Sequence, residues 1–232
     1  MVKAVFFDLY QTLIYYTPPR EEELAKVIQR YGVDVTADIL RRPIVSADDF
    51  IYEEHARCPL SKRSPEEQKE LLNRYYTILL DEAGIKPEPE LIQHNLNEMQ
   101  KVKFNRVLFD DVVPSFKKLH QAGFILGVIS NVDNDINPLL GKLGVLQFLK
   151  VVITSLECGY QKPQPQIFNT AAEKADVKNE EAMYIGDQYQ SDVVGSSGAG
   201  MQGVLLDRNG YFTDDTEHMV IKDLNQLVEH LC

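Results

Sequence analysis

The fold is decided by a stretch near the start of the chain, Lys3-Ala4-Val5-Phe6-Phe7-Asp8-Leu9-Tyr10-Gln11-Thr12-Leu13. Its apolar run 4–7 predicts a short β-strand buried on both faces, as in a parallel sheet. The run ends at Asp8, and polar residues follow at 10–12. Open α/β sheets place their functional groups beyond the carboxyl ends of strands, so Asp8 is a candidate functional residue. Taken alone, it can equally be an ordinary turn residue, because aspartate is favoured in turns.

Composition bounds the class of protein. The 232 residues, 44% of them hydrophobic, suffice for one large domain or for a domain with a smaller one inserted. We expect no membrane partner, because no apolar run reaches about 18 residues, and a cytoplasmic location, because the start lacks a signal-peptide pattern. A formal net charge of −11 with scattered lysines and arginines argues against a nucleic-acid partner. The sequence leaves open whether two copies form a homodimer.

The segment 15–104 differs from the rest of the chain in composition and in hydrophobic pattern. It is charged, amphipathic and poor in strand-like runs, and its patterns predict helices over about 21–31, 37–57, 65–83 and 88–103. Pro43 is expected to end or kink the second of them. We therefore predict an all-helical cap over 15–104, inserted into a core formed by 1–14 and 105–232.

Strand and helix patterns alternate after this insertion. Further buried strands are predicted at 124–129, 151–154, 182–185 and 203–206, and helices at 112–122, 133–143, 165–175, 191–199 and 220–230. Such alternation requires a parallel sheet covered by helices on both faces. The predicted fold class is α/β, a Rossmann-like parallel sheet with an inserted helical cap.

Polar residues follow several of the predicted strands. Asp8 follows the first, Ser130-Asn131 the second and Asp187 the fourth, and in a parallel sheet these ends share one edge. Lys162 lies in a proline-stiffened loop after the third strand, from which its ammonium can reach the same crevice. The sequence therefore predicts one site that collects residues from distant parts of the chain.

Three acids are expected in this site. Asp8, Asp187 and Asp192 would repel one another unless a proton or a hard cation intervened, and Mg²⁺ with oxygen ligands is the usual solution. Ser130 and the N–H groups that follow it, at a predicted helix start, suit an anion. A small anionic substrate with Mg²⁺ as cofactor is the resulting expectation.

The ordered set of motifs resembles the haloacid dehalogenase superfamily of hydrolases. The motifs are Asp8-x-x-x-Thr12, Ser130-Asn131, Lys162-Pro163 and Gly186-Asp187-x-x-x-x-Asp192. The resemblance implies that Asp8 is a covalent nucleophile, that Thr12, Ser130, Asn131 and Lys162 complete the catalytic set, and that Ser130, Asn131, Lys162 and Tyr10 contact substrate. It further implies metal binding by Asp8, the main-chain carbonyl of Tyr10, Asp187 and Asp192. The inserted helices correspond to the family's cap.

The sequence departs from the phosphatase pattern at Tyr10. Phosphatases that this chain resembles carry a second aspartate there, which protonates the leaving group and then activates water. A phenol with a pKa of about 10 replaces that carboxyl poorly near neutral pH. Gln11 also replaces a glycine. Tyrosine at position 10 is typical of 2-haloacid dehalogenases, whereas Gly186-Asp187-x-x-x-x-Asp192 is typical of metal-dependent members.

Each candidate also has a structural interpretation. Asp192 could cap the following helix, Lys162 could be a solvated surface charge, and Ser130-Asn131 could be a plain helix start. Arg41-Arg42 in the cap could hold a substrate carboxylate or form a solvated helix face. The function expected is a hydrolase acting on a small anion, with a phosphatase slightly preferred over a 2-haloacid dehalogenase. A non-catalytic binding protein on the same fold is the rival from another class.

Overall fold

The structure, a computed structural model, describes residues 1–58, 60–212 and 217–232. It divides into two compact units: a core unit, Met1–Tyr15 with Val107–Cys232, and a helical unit, Tyr16–Arg106. Two short strands carry the chain across the two boundaries, β2 (Ile14–Thr17) and β3 (Asn105–Leu108), and they pair in a small sheet of their own. This pair could not be predicted from the sequence, because both strands are short and mostly exposed or only partly buried, so neither forms an apolar run like that of β1.

The core unit is built on a six-stranded sheet. Its strands are β1 (Ala4–Phe7), β4 (Ile125–Ser130), β5 (Leu149–Thr154), β6 (Ala182–Gly186), β7 (Gln202–Leu206) and β8 (Met219–Ile221). They follow the order β5-β4-β1-β6-β7-β8, and every neighbouring pair is parallel. The predicted α/β fold class with a parallel sheet is confirmed.

Strand β1 lies at the centre of this sheet, where the direction of winding reverses. Phe7 is in register with Val128 of β4 on one side and with Ile185 of β6 on the other. The carboxyl ends of three strands therefore meet beside Asp8, whose N–H donates to the Ile185 carbonyl at 2.8 Å. A reversal of this kind leaves a crevice at the sheet edge, which is where open α/β folds bind ligands.

Alternation along β1 separates the two layers of the core. Val5 and Phe7 belong to the cluster on one face of the sheet, and Ala4 and Phe6 belong to the cluster on the other. All four side chains are fully buried, as a strand covered on both faces requires. The core helices are α5 (Val112–Gln121), α6 (Asn137–Lys142), α7 (Ser155–Cys158), α8 (Pro165–Ala175), α9 (Gly195–Gly198) and α10 (Leu224–Leu231).

Two predicted helices near the end of the core unit differ from the structure. The final helix begins at Leu224 and not at position 220, because Met219–Ile221 forms the edge strand β8 and the Asp223 side chain then accepts the Gln226 N–H as a cap. The segment predicted as one helix over 191–199 begins as a π-helical turn, Tyr189–Val194, and continues as α9.

The described part of the helical unit contains four α-helices, α1 (Arg20–Tyr31), α2 (Ala37–Arg57), α3 (Pro65–Glu82) and α4 (Pro89–Met99), and a short 3-10 helix at Leu60–Lys62. Their apolar faces meet in one cluster that includes Ile28, Leu40 and Leu79. A capping box starts α3: Ser64 Oγ accepts the Glu67 N–H, and the Glu67 carboxylate accepts the Ser64 N–H at 2.7 Å. The start at Pro65 agrees with the helix that the sequence predicts over about 65–83.

Of the two expectations for Pro43, the end of a helix is wrong, and a kink stays a prediction. Helix α2 continues through Pro43, which removes one N–H that would otherwise bond to the Ile39 carbonyl. Ile39 is about half exposed, so water can satisfy that carbonyl. Within the described residues, no helix is both long and apolar enough to cross a membrane.

Candidate active site

Lys162 is the centre of the site at the carboxyl edge of the sheet. Its side chain is 3% exposed. The ammonium donates three hydrogen bonds: to Asp8 Oδ1 at 2.6 Å, to Asp192 Oδ1 at 2.7 Å and to the Tyr184 hydroxyl at 2.9 Å. A lysine ammonium has three N–H groups, so all of them are used. The interpretation of Lys162 as a solvated surface charge is wrong.

Burial and like charges govern protonation in this cluster. Burial raises the pKa of Asp8 to about 6; Lys162 opposes this shift and Asp192 adds to it. Burial also raises the pKa of Asp187 well above its usual range, with Asp8 and Asp192 adding to the effect. Burial alone would lower the pKa of Lys162, but the Asp192 and Asp8 carboxylates raise it above its usual value. One ammonium is therefore surrounded by more acid than it can neutralise.

The three carboxyl groups lie close enough to share a cation. One oxygen from each of Asp8, Asp187 and Asp192 falls within a group whose members are at most 4.8 Å apart. Two ligands of one Mg²⁺ at about 2.1 Å cannot be more than about 4.2 Å apart. The cluster thus suits a hard cation if one carboxylate shifts slightly or binds through water. Asp192, already paired with Lys162, is the natural candidate for a water-mediated contact.

Asp192 lies inside the π-helical turn and does not cap a following helix, so that interpretation is wrong. It is fully buried, and its Oδ2 accepts the Gln188 N–H at 3.1 Å. Gly186 makes this position available: a Cβ atom added there would lie 2.1 Å from Asp192 Oδ2. The glycine of the Gly186-Asp187 motif is therefore needed for space.

Thr12 is held from two sides. Its buried hydroxyl donates to Asp187 Oδ1 at 3.4 Å, and its carbonyl accepts from Arg208 at 2.8 Å. Arg208 also forms a two-pronged ion pair with Asp111, at 2.9 and 3.1 Å, and its guanidinium lies 3.9 Å from the centre of the Phe109 ring. The loop after β1 is thereby fixed to two distant segments.

Asn131 organises the lysine loop. Its Oδ1 accepts the Lys162 N–H at 2.8 Å, and its Nδ2 donates to the Lys162 carbonyl at 3.0 Å. Both ends of the amide are thus engaged with the main chain of Lys162, and a direct contact of Asn131 with substrate stays a prediction. Ser130 is buried at the end of β4.

The prediction of a helix directly after Ser130-Asn131 is wrong. Helix α6 begins only at Asn137, whose N–H donates to Asp135 Oδ1 at 2.9 Å. Aspartate accepting an N–H two residues ahead favours a turn over continued helix, and Pro138 lies in the first turn of α6. Any anion at Ser130 would therefore meet loop N–H groups and not the end of a helix.

Tyr10 and Gln11 occupy a tight turn after the nucleophile candidate. Tyr10 is half-buried and its main chain bridges to Ile14. Gln11 has a φ of +60° and donates its N–H to the Ile14 carbonyl at 2.7 Å. A left-handed residue other than glycine costs about 1–2 kcal/mol. The glycine common at this position in the family that the sequence resembles would relieve that cost.

The remaining candidates, Arg41 and Arg42, lie on the surface of the helical unit. Arg41 is half exposed and pairs with Asp38 at 3.0 Å and with Glu21 at 3.6 Å. Arg42 is 72% exposed and lies 4.0 Å from Glu82. This arrangement fits the solvated helix face that the sequence analysis gave as the alternative.

Sequence reasoning missed two residues of the site. Tyr184 reads as one more apolar residue of a buried strand, and only its hydroxyl distinguishes it from its neighbours. Arg208 lies just after the last predicted strand, outside every motif. A strand tyrosine with no solvent-facing end is a usable signal, because a buried hydroxyl needs a partner. No comparable signal marks Arg208.

Comparison with known proteins agrees with this geometry. A family model described as haloacid dehalogenase-like hydrolase matches residues 2–200. A glyceraldehyde 3-phosphate phosphatase from Methanopyrus kandleri is 30% identical over 91% of this chain and 86% of its own. The matched segment contains every residue of the acid cluster and Lys162.

Solved structures share the fold. The putative HAD-hydrolase YfnB from Bacillus subtilis, bound to magnesium, has a TM-score of 0.63 with 21% identity over 99% of this chain and 98% of its own. A 2-haloacid dehalogenase from Pseudomonas syringae has a TM-score of 0.56 with 24% identity over 100% of this chain and 98% of its own. With a sheet of this topology, an acid cluster around a buried lysine and a family model that covers most of its length, this chain belongs to the haloacid dehalogenase-like hydrolases.

Proposed function

We propose that this protein is a Mg²⁺-dependent phosphatase that hydrolyses a small phosphate monoester through a covalent intermediate on Asp8. The observation that carries the proposal is the cluster of Asp8, Asp187 and Asp192 around Lys162. When all three acids are ionised, three carboxylates against one ammonium leave two negative charges, which one divalent cation would offset in place of the protons that the raised pKa values of Asp8 and Asp187 favour. A relative named glyceraldehyde 3-phosphate phosphatase supports a phosphate ester as substrate.

Asp8 is suited to attack phosphorus. Lys162 bonds to its Oδ1 at 2.6 Å, which leaves Oδ2 as the attacking atom. Because its pKa is raised only to about 6, the carboxylate is mostly ionised at neutral pH. Attack forms an aspartyl phosphate and breaks the bond from phosphorus to the ester oxygen. The ester oxygen leaves with the electron pair of that bond as an anion, which solvent protonates. Water then attacks phosphorus and gives its proton to solvent, the bond from phosphorus to Asp8 breaks, and phosphate and the Asp8 carboxylate are released.

The other residues have supporting roles. Asp8, Asp187 and the Tyr10 carbonyl would hold Mg²⁺, with Asp192 bound through water. When bound, the ion offsets the charge of the acids and of the phosphoryl oxygens. Ser130, at the end of β4, would donate to the phosphoryl group, and Thr12 would keep Asp187 in place through its hydroxyl. Asn131 holds the Lys162 loop.

The metal assignment has a direct test that needs no substrate. Mg²⁺ titration is expected to raise the Tm of the wild-type protein, since a ligand that binds only the folded state stabilises it. Asp187→Ala should lose this response. Asp38→Ala, which removes an exposed acid of the helical unit, is the matched control and should keep it. No response at millimolar Mg²⁺ would overturn the metal site.

Tyr10 in place of an aspartate should determine which esters are hydrolysed rapidly. Losing a positioned general acid typically costs about 10²- to 10⁴-fold in rate. Esters with alkoxide leaving groups should therefore be slow unless another residue supplies the proton, whereas aryl phosphates, which leave as stabilised anions, should be faster. The same residue favours the second candidate, 2-haloacid dehalogenase, because halide leaves without a proton.

A side-by-side assay separates the two candidates. We would measure release of para-nitrophenol from its phosphate, of phosphate from glyceraldehyde 3-phosphate, and of chloride from 2-chloropropionate, each with and without Mg²⁺. The proposal predicts Mg²⁺-dependent release from the aryl phosphate and a gain of about tenfold or more in Tyr10→Asp. Chloride release without Mg²⁺ and no phosphatase activity would establish the dehalogenase. If folded protein releases none of the three products, the rival function, a non-catalytic binding protein, is favoured.

A further inference from the structure

Tyr184 occupies a position that the catalytic roles above do not use. It lies in the middle of β6, fully buried. Its ring meets the Phe168 ring edge to face, with centroids 5.2 Å apart and an angle of 87° between the planes. The hydroxyl is therefore held at a fixed place beneath the acid cluster by a rigid side chain with few rotamers.

The Tyr184 hydroxyl has a defined direction. It donates to the Ile129 carbonyl at 2.9 Å and accepts from Lys162 Nζ at 2.9 Å. Because the phenolic proton is committed to the carbonyl, the oxygen lone pairs face the ammonium. Burial raises the pKa of Tyr184 well above its usual range, and Asp192 and Asp8 raise it further, so the phenol stays neutral.

We propose that Tyr184 is a positioning residue for Lys162: its hydroxyl takes one N–H of the ammonium and so directs the other two at Asp8 and Asp192. A hydroxyl fits this task because it accepts from the ammonium without adding a fourth acid. Asn131 fixes the main chain of Lys162, and Tyr184 fixes its charged end. The role in catalysis rests on the proposed function, whereas the role in holding the ammonium does not.

Removing the hydroxyl should therefore act through Lys162. In Tyr184→Phe one N–H of the buried Lys162 ammonium loses its acceptor. The ammonium can then rotate so that its N–H no longer points at Asp8 Oδ1. We expect kcat for para-nitrophenyl phosphate to fall by about 10- to 100-fold, the usual effect of losing a partner of a primary ligand or catalytic group. KM should change by less than about threefold, because the loss is in the transition state.

Two controls separate positioning from general damage. Tyr76→Phe makes the same chemical change in the hydrophobic core of the helical unit and should leave kcat within about twofold of the wild type. In a Lys162→Met background, Tyr184→Phe should cost little further kcat, because coupled residues are not additive. Equal losses in both backgrounds would overturn the proposal.

A readout without turnover keeps the test independent of the proposed function. Nuclear magnetic resonance of ¹⁵N-lysine protein should show one ammonium signal in slow exchange that is absent in Lys162→Arg. Tyr184→Phe should shift or broaden it, and an unchanged signal would overturn the proposal. If Tyr184→Phe shifts the signal but the wild-type protein hydrolyses no phosphate ester, the positioning role of Tyr184 is supported and the proposed function is overturned.

Folding failure of Tyr184→Phe would not end the test. In that case 4-aminophenylalanine at position 184 keeps the ring and a donor for Ile129 but accepts poorly from an ammonium. The same fall in kcat and the same change in the lysine signal are expected. Wild-type values for both measurements in this folded variant would overturn the proposal.

Discussion

Lys162 Nζ lies 2.6 Å from Asp8 Oδ1, although the two residues are 154 positions apart in the chain. The contact joins the end of the central strand to a loop that follows β5, two strands away in the sheet. Because Asp192 pairs with the same ammonium at 2.7 Å, Lys162 balances two buried acids at once. Loss of this one ammonium would therefore leave both carboxylates without their counter-charge.

Replacing Lys162 by methionine should destabilise the protein most at alkaline pH. Removing one partner of a buried ion pair typically costs about 3–5 kcal/mol, and here two carboxylates lose their counter-charge. The cost should shrink as the pH falls from 8 to 5, since Asp8, whose pKa is raised to about 6, is then mostly protonated. Urea unfolding at pH 8 and pH 5 measures this. Lys174→Met, at an exposed pair with Glu157, is the control and should change little.

Replacing Asp8 by asparagine should stabilise the metal-free protein above neutral pH. The pKa of Asp8 is raised to about 6 in the folded state, above its usual value near 3.9 in the unfolded chain. The folded protein thus binds the extra proton, and stability falls as the pH rises from about 4 to about 6. Asparagine does not titrate, so in Asp8→Asn this fall in the free energy of unfolding with rising pH is lost.

The expected difference at pH 8 is on the order of 3 kcal/mol in favour of Asp8→Asn, from the size of the pKa shift. It should vanish below pH 4, where both the wild type and the variant are neutral at this position. Unfolding by urea in the presence of a chelator, at several pH values, gives the curve. A variant that is less stable than the wild type at pH 8 contradicts the argument.

Gly186→Ala should disrupt the acid cluster without changing any charge. The added Cβ would lie 2.1 Å from Asp192 Oδ2, a separation that a carboxylate held by Lys162 and by the Gln188 N–H cannot relieve without moving. We expect overpacking to cost about 1–3 kcal/mol or more and the Mg²⁺ response to be lost. Gly198→Ala, where nothing lies within 4 Å of the added atom, is the control.

Breaking the Arg208–Asp111 pair should loosen the loop that carries Thr12. Both side chains are about nine-tenths buried, and Arg208 also donates to the Thr12 carbonyl. Arg208→Gln should lower the free energy of unfolding by about 3–5 kcal/mol. Asp111→Asn should cost a similar amount, and the double variant should cost less than the sum of the two. Additive losses would show that the pair is not the coupled unit that its geometry indicates.

Much of the fold could be predicted because the pattern was strong. The central strand 4–7 and four further buried strands are short apolar runs bounded by polar residues or glycine, and a parallel sheet buries both faces of such strands. The edge strand β8 was not predicted, because its three residues differ in burial and are followed closely by the apolar pattern of helix α10. Short, half-exposed strands carry too few residues for periodicity to identify them.

The site was predictable in its residues and not in its contacts. Asp8, Lys162 and Asp187 follow from strand ends and motif spacing, since parallel strands bring their carboxyl ends together. Which groups satisfy the lysine does not follow, because that depends on side-chain direction within the packed core. The hydrogen bond from Lys162 to the Tyr184 hydroxyl and the two hydrogen bonds between Asn131 and the Lys162 main chain depend on tertiary packing. No local sequence pattern predicts them.

The measurement that tests the central claim most directly is chemical trapping of the intermediate on Asp8. Protein mixed with para-nitrophenyl phosphate and Mg²⁺ would be quenched in acid within milliseconds to seconds, reduced with borohydride and digested for mass spectrometry. An aspartyl phosphate is reduced to homoserine, so we expect that residue at position 8 in the wild type and its absence without Mg²⁺ or in Asp8→Asn. Turnover of the ester with no modification at position 8, or with modification elsewhere, would contradict the assignment of Asp8 as the nucleophile.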